Sequence, residues 1–520
     1  MDFNRNSRID ETLAAPSDEA PPLSPYSQMQ SRTRCILAGV YAIPTLVCLY
    51  FAMMAEGLPV EDLETACLIA GIYCLVTVGL TLWAGGHSVF SFPGAFLGIS
   101  CLYMLGLILV YPFQGDDAMA TWYRVDESGL KRGIPLVMIA FSCFLFGSFA
   151  AVRRHGGDAH EAESFTSETH IQSTRLLGSS LYGIGIVTIG AFTVMGGGLR
   201  FVFEGGYFYL SEMQYQEGGA ALLWGSLAWF LPWGMLTLAA TFRRKQDLGW
   251  LILAALPINL IFLLTGDRGG LLVMDILLLI RAQLFGFRMS WWRTALAMGL
   301  IIVAVPTLMV LRQTPTREWS PAVFVEALTL KPTQTRAFSA DPVSATLIEG
   351  GTSYKVLMGT VELVPSESDY HYGLDYLTSL ATVVPFFSRV FPDFVPHNGG
   401  WVKEYVDHPQ SIAGVGFLQV AEAYLQFGPI GVAVFFWLAG YGVTRLWIHC
   451  RTRVLSANQL AYTLIVMNAV LLWIRNEFHT AVRPIVWCFL LLIVLPRLLP
   501  SRERQAPDHA PTCPEQPHLS

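Results

Sequence analysis

Residues 249–280 read GWLILAALPINLIFLLTGDRGGLLVMDILLLI, two apolar runs joined by a glycine turn that carries Asp267 and Arg268. A helix needs roughly 17 to 25 apolar residues to cross the hydrocarbon core of a bilayer. Both runs approach that length, so the stretch predicts two membrane helices with a tight turn between them. A charge at the edge of a hydrocarbon layer is costly, which makes an ionisable residue there a functional candidate. The plainer reading is that Asp267 and Arg268 are hydrated residues of a turn that wants glycine in any case.

The whole chain fits this setting. Of 520 residues, 53% are hydrophobic and 14% charged, too apolar for a soluble protein of this length. The net charge of −6 is diffuse, so nothing points to nucleic acid as a partner. Apolar runs recur at 35–55, 65–84, 92–112, 134–152, 177–196, 220–241, 249–265, 270–287, 294–312, 428–447, 458–475 and 480–498. The expected fold is therefore an all-α polytopic membrane protein of about twelve transmembrane helices. Residues 1–34, acidic and rich in proline, read as a disordered cytoplasmic tail rather than a secretory signal. Residues 35–312 supply the first nine helices, 313–427 a large periplasmic loop or cap, 428–498 the last three helices, and 499–520 a second cytoplasmic tail.

Short loops rich in Arg and Lys stay on the cytoplasmic side. Arg32, Arg34, Arg153, Arg154, Arg243, Arg281, Arg288, Arg445, Arg451 and Arg497 fall on one face, and an even helix count then places both termini inside. The cysteines lie in spans or on that same side, so no disulfide framework is expected.

The cap is longer than a connection between two helices requires, and loops of that length are usually functional. Residues 374–391 are apolar but broken by Pro385 and read as an interfacial or re-entrant segment. In residues 414–427, Phe417, Val420, Ala421, Tyr424 and Leu425 share one helical face, with Gln419, Glu422 and Gln426 off it. This places Glu422 near the outer boundary, facing a cavity or plain solvent. Arg268, Arg312, Arg475 and Arg483 break the orientation rule by lying at outer helix ends or turns. Arginine presents a planar, permanently charged fork that matches phosphate oxygens two at a time, so convergent arginines form a natural diphosphate clamp. The bland alternative is interfacial snorkelling with local ion pairs such as Arg475 to Glu477.

The chain resembles the Wzy-type O-antigen or oligosaccharide repeat-unit polymerases. The resemblance rests on the TGDRGG turn, the long outer loop between late helices, the Gly-x-Gly-Phe-x-x-x-x-Glu-Ala-Tyr-x-x-Phe-Gly-x-x-Gly stretch at 414–431, and an Arg in the final outer turn. It implies glycosyl transfer at the outer face of the bacterial inner membrane, with polyprenyl-diphosphate-linked oligosaccharides as donor and acceptor, membrane lipids around them, and a chain-length regulator as a typical partner. On that reading Arg268 and Arg475 stabilise the departing diphosphate, and Arg312 and Arg483 bind it, with Asp267 orienting Arg268. Glu422, His397 and Asp393 are the candidates for general base, and Tyr424 is a further candidate for substrate binding. Tyr370, Tyr372, Tyr376 and Trp401 either stack on sugars or form an interfacial belt.

With arginines present the chemistry requires no metal or other cofactor, and no His or carboxylate pair shows metal-ligand spacing. A hydrolase would pair carboxylates at the scissile bond, and the cap acids show no such pair. A flippase or transporter for the same lipid-linked sugar would need a similar helix count. No internal repeat relates the two halves, however, whereas many transporters are built from one, and the arginines favour one face over the midplane. A ligase that moves finished glycan to a lipid A core would share topology and donor and differ in its acceptor.

Overall fold

The computed structural model describes residues 25–115, 126–155, 171–195, 229–242, 247–265, 268–284, 342–384 and 416–498, with the single positions 292, 325, 387, 391, 402, 405 and 406. Among these residues every regular element is helical. The expected span at 294–312 lies outside them, as do Asp267, Arg312, Asp393, His397 and Trp401.

The chain runs up and down through α1 (Pro25–Met53), α2 (Leu63–Gly85), α3 (Phe92–Ser100), α4 (Gly106–Gln114), α5 (Glu127–His155), α6 (Ile171–Met195), α7 (Phe230–Thr241), α8 (Asp247–Thr265) and α9 (Arg268–Leu284). It continues through α10 (Pro342–Gly351), α11 (Tyr354–Leu363), α12 (Leu374–Ala381), α13 (Gln419–Thr452), α14 (Ala457–Trp473), α15 (Phe478–Phe489) and the short α16 (Leu495–Leu498). A π-helical turn, Cys101–Leu105, joins α3 to α4 in one continuous span.

Among the described residues six helices are long and apolar enough to cross a membrane: Arg32–Met53, Leu63–Gly85, Phe92–Gln114, Glu127–Arg154, Gln419–Thr452 and Phe478–Leu498. Shorter apolar helices occur at Phe230–Thr241, Gly249–Asn259 and Ala457–Trp473. Large side chains such as Ile36, Ile43, Leu46, Ile72, Leu253 and Leu438 lie exposed on these helices. So continuous an apolar surface is that of a chain solvated by lipid tails.

Local sequence sets the helix ends. Asp62 caps α2 by accepting from Glu64 N and Thr65 N, and Gly86, with φ of 64°, closes it in the left-handed conformation. Ser456 and Gln459 form a capping box at the start of α14.

At the centre, α5 packs along α13. A Cβ at Gly440 would collide with the Phe144 carbonyl, and one at Gly147 with the Trp437 carbonyl, so small residues let the two backbones approach. Thr444 Oγ1 donates to Ser148 Oγ at 2.9 Å across the same seam. The pair α6 and α7 uses Gly178, Gly185 and Gly234 in the same way.

The bundle has two distinguishable ends. At one, Arg34 Nε donates to Ala84 O at 2.9 Å, and Arg281 donates to Ala239 O and Phe242 O at 3.0 and 2.7 Å. There too, Arg451 and Arg34 lie close enough to His87 to help push its pKa down to about 4, with burial the larger cause. Arg475 belongs to the opposite end, between the top of α14 and the start of α15.

At that opposite end α10 and α11 turn into the bundle. Gly106 lies against Leu347 and Gly351, and Gly133 lies against Tyr354, so the 351–354 turn packs beside the middle of the Phe92–Gln114 span and the second turn of α5. Gly129, near the start of α5, meets Glu362. The pair is thus a re-entrant hairpin within the stretch read as cap.

Candidate functional site

The glycine-rich motif read at 414–431 builds a platform. Within its described part, 416–431, residues 416–427 are enclosed on two sides, which is why Gln419, Glu422 and Gln426 are as buried as Val420, Ala421 and Leu425. The helical face expected to look into a cavity is occupied by hydrogen bonds instead.

On one side lies the 473–478 turn. Gln419 N donates to Ile474 O at 3.2 Å, and a Cβ at Gly416 would strike the backbone of Arg475. Glu422, 1% exposed, accepts Trp473 Nε1 on Oε2 at 2.7 Å and Phe478 N on Oε1 at 2.9 Å. The Trp473 and Phe478 rings meet at a tilt with centroids 4.8 Å apart, with Phe435 at 5.0 Å from Trp473 and Tyr376 at 5.2 Å from Phe478. Burial, with Glu422 and Asp375 nearby, pushes the Tyr376 hydroxyl well above the usual phenol range.

On the other side lies the strap 370–375. His371 N donates to Leu425 O at 3.0 Å and Tyr372 N to Gln426 O at 2.8 Å. Tyr424, 3% exposed, donates to Val364 O at 3.1 Å and meets Tyr370 edge-on at 5.8 Å. The platform ends at a break in α13. Phe427 and Gly428 leave helical geometry, and Gly428 takes φ of 63° and ψ of −156°, a combination open essentially to glycine alone.

The sequence-derived candidates divide clearly. Arg475 places its guanidinium over the Tyr103 ring at 5.3 Å. Tyr103 belongs to the π-helical turn midway along the Phe92–Gln114 span, so Arg475 reaches deeper than the face bias of the arginines suggested. Arg483 donates to Thr382 O at 3.2 Å, and Trp487 to Val383 O at 2.9 Å, which fastens the end of α12 to α15. Residues 374–384 thereby lie against α15. His479 Nδ1 lies 3.2 Å from Glu477 Oε2.

Arg268 opens α9. That helix pairs with α14 and carries Arg281 at its far end, so Arg268 starts at the Arg475 end of the bundle. Glu422 and Tyr424 both serve as ties within the platform. Sequence reasoning assigned no role to Asp375, Gln426 or Trp473; the four-residue spacing of His371 and Asp375 was the signal for one of them.

The family model described as O-antigen polysaccharide polymerase Wzy matches residues 45–502, most of the chain. The chain belongs to the O-antigen polysaccharide polymerase Wzy family. No curated protein and no solved structure matches it. The matched region spans the whole site of this Wzy-family chain, from the Tyr103 turn through the platform to α15. Membership gives the chain a polymerase role in O-antigen polysaccharide synthesis, as a multi-pass membrane protein acting on lipid-linked oligosaccharide repeat units.

Proposed function

We propose that this Wzy-family chain transfers a growing glycan from its polyprenyl diphosphate to a polyprenyl-diphosphate-linked acceptor unit, on the outer side of the inner membrane. The observation that carries the reading is the placement of Arg475. It is a permanent cation turned into an apolar bundle, held by the motif on which the family resemblance rests, with Arg483 following on α15. A preorganised cation in a low-dielectric recess stabilises negative charge as it develops on a leaving diphosphate, and such electrostatics is commonly the largest catalytic contribution.

Arg268 and Arg312 are assigned to the same diphosphate, with Asp267 orienting Arg268. Asp393 and His397, from the cap, are assigned to the sugar side. Arginines supply the charge that a metal would otherwise supply. The test is a strain deleted for this chain. Single repeat units displayed on the cell surface support the polymerase, because export still works. A surface with no glycan at all supports a flippase, and long glycan left unattached to lipid A supports a ligase.

A further inference from the structure

The strap carries an arrangement that the polymerase reading leaves unused. His371 Nδ1 lies 2.5 Å from Asp375 Oδ2, one helical turn away. Asp375 is buried, and the same oxygen accepts the Gln426 amide. Gln426, 0% exposed, in turn accepts Gly373 N on Oε1 at 3.0 Å. The imidazole is therefore fixed through both backbone and side chains, while about a quarter of it (26%) stays exposed. Tyr372 and Gly373 hold φ of 50° and 84°. A non-glycine residue keeps a left-handed conformation only where its surroundings over-determine it, and such positions cluster at functional sites. Among the described residues, Tyr376 and Glu422 are further titratable groups near Asp375.

A carboxylate on Nδ1 selects the tautomer with its proton there and its lone pair on Nε2, the form a general base needs. We infer that His371, oriented by Asp375 and Gln426, takes the proton from the acceptor-sugar hydroxyl during glycosyl transfer. The inference rests on the polymerase reading. In the step, the hydroxyl oxygen bonds to the anomeric carbon of the donor, and the bond from that carbon to the diphosphate oxygen breaks. The electron pair leaves on the diphosphate, and the proton passes to Nε2 and then to water. Asp375 and Gln426 are positioning residues.

The test uses the full chain in proteoliposomes with lipid-linked repeat units extracted from the deletion strain. His371→Ala should slow elongation by about a hundredfold or more, the usual contribution of a general base, with KM unchanged and with partial recovery on adding imidazole. Asp375→Asn should lower kcat with KM unchanged, because the imidazole loses the carboxylate that fixes its tautomer and orientation. A wild-type chain that elongates alongside a His371→Ala variant within threefold of it would overturn this inference alone. So would a slow variant that imidazole does not rescue. A wild-type chain that never elongates removes the polymerase reading and this inference together.

Discussion

Replacing Glu422 by Gln should loosen the turn that carries Arg475. In the native chain each carboxylate oxygen serves one donor, Trp473 Nε1 at 2.7 Å and Phe478 N at 2.9 Å, and the side chain is 1% exposed. Gln retains one oxygen, so its NH2 group must face the other donor. A buried donor left without an acceptor costs about 1–3 kcal/mol. At ~1.4 kcal/mol per factor of ten, the turn should open on the order of ten- to a hundredfold more often. Hydrogen–deuterium exchange of peptides covering 474–480 in lipid nanodiscs reads this directly, with the Phe478 amide as reporter. Peptides from the middle of α5 share no partner with Glu422 and should exchange as in the wild type. Equal protection at 474–480 in variant and wild type would refute the tie, and Glu422 would return as a candidate base.

Two further perturbations probe other parts of the account. Gly428→Ala forces a methyl group into a backbone conformation with φ of 63° and towards the Tyr370 ring at 3.0 Å; the strain of about 1–3 kcal/mol should appear as a lower thermal midpoint and faster exchange in the 370–375 strap. His87 sits between α2 and α3 with its pKa pushed down to about 4 from 6.5, first by burial and then by Arg451 and Arg34. Its unfolded form binds a proton at a pH where the folded form does not, so its contribution is intact above 6.5 and stability falls as pH drops from there towards 4. Melting curves across that window should show the fall, and His87→Gln should flatten it.

The helical membrane fold was legible because apolar length is a strong signal, and the six long spans coincide with runs read from the sequence. The α10–α11 hairpin was not, because PVSATLIEGG and YKVLMGTVEL are ten residues each, too short to register as spans. Their depth is set by contacts with Gly106 and Gly133 that are distant in sequence. The 414–431 motif was visible as a motif, yet the burial of its polar residues was not. Periodicity puts Glu422 and Gln426 on a polar face, and only the return of the 473–478 turn and the strap shows that this face is buried and partnered. Arg475 stood out because it violates the charge rule, but its reach to Tyr103 depends on packing between α14 and the third span.

The role proposed for the Arg475 end of the bundle is the lengthening of lipid-linked glycan. Its most direct test is a single assay of purified chain in proteoliposomes, supplied only with polyprenyl-diphosphate-linked repeat units and read as a ladder of glycan lengths. The wild type should produce the ladder, and Arg475→Ala, inserted normally in the membrane, should leave the single unit unchanged. A ladder of near-normal length from Arg475→Ala would contradict the claim, as would a wild type that moves the lipid across the bilayer without lengthening it.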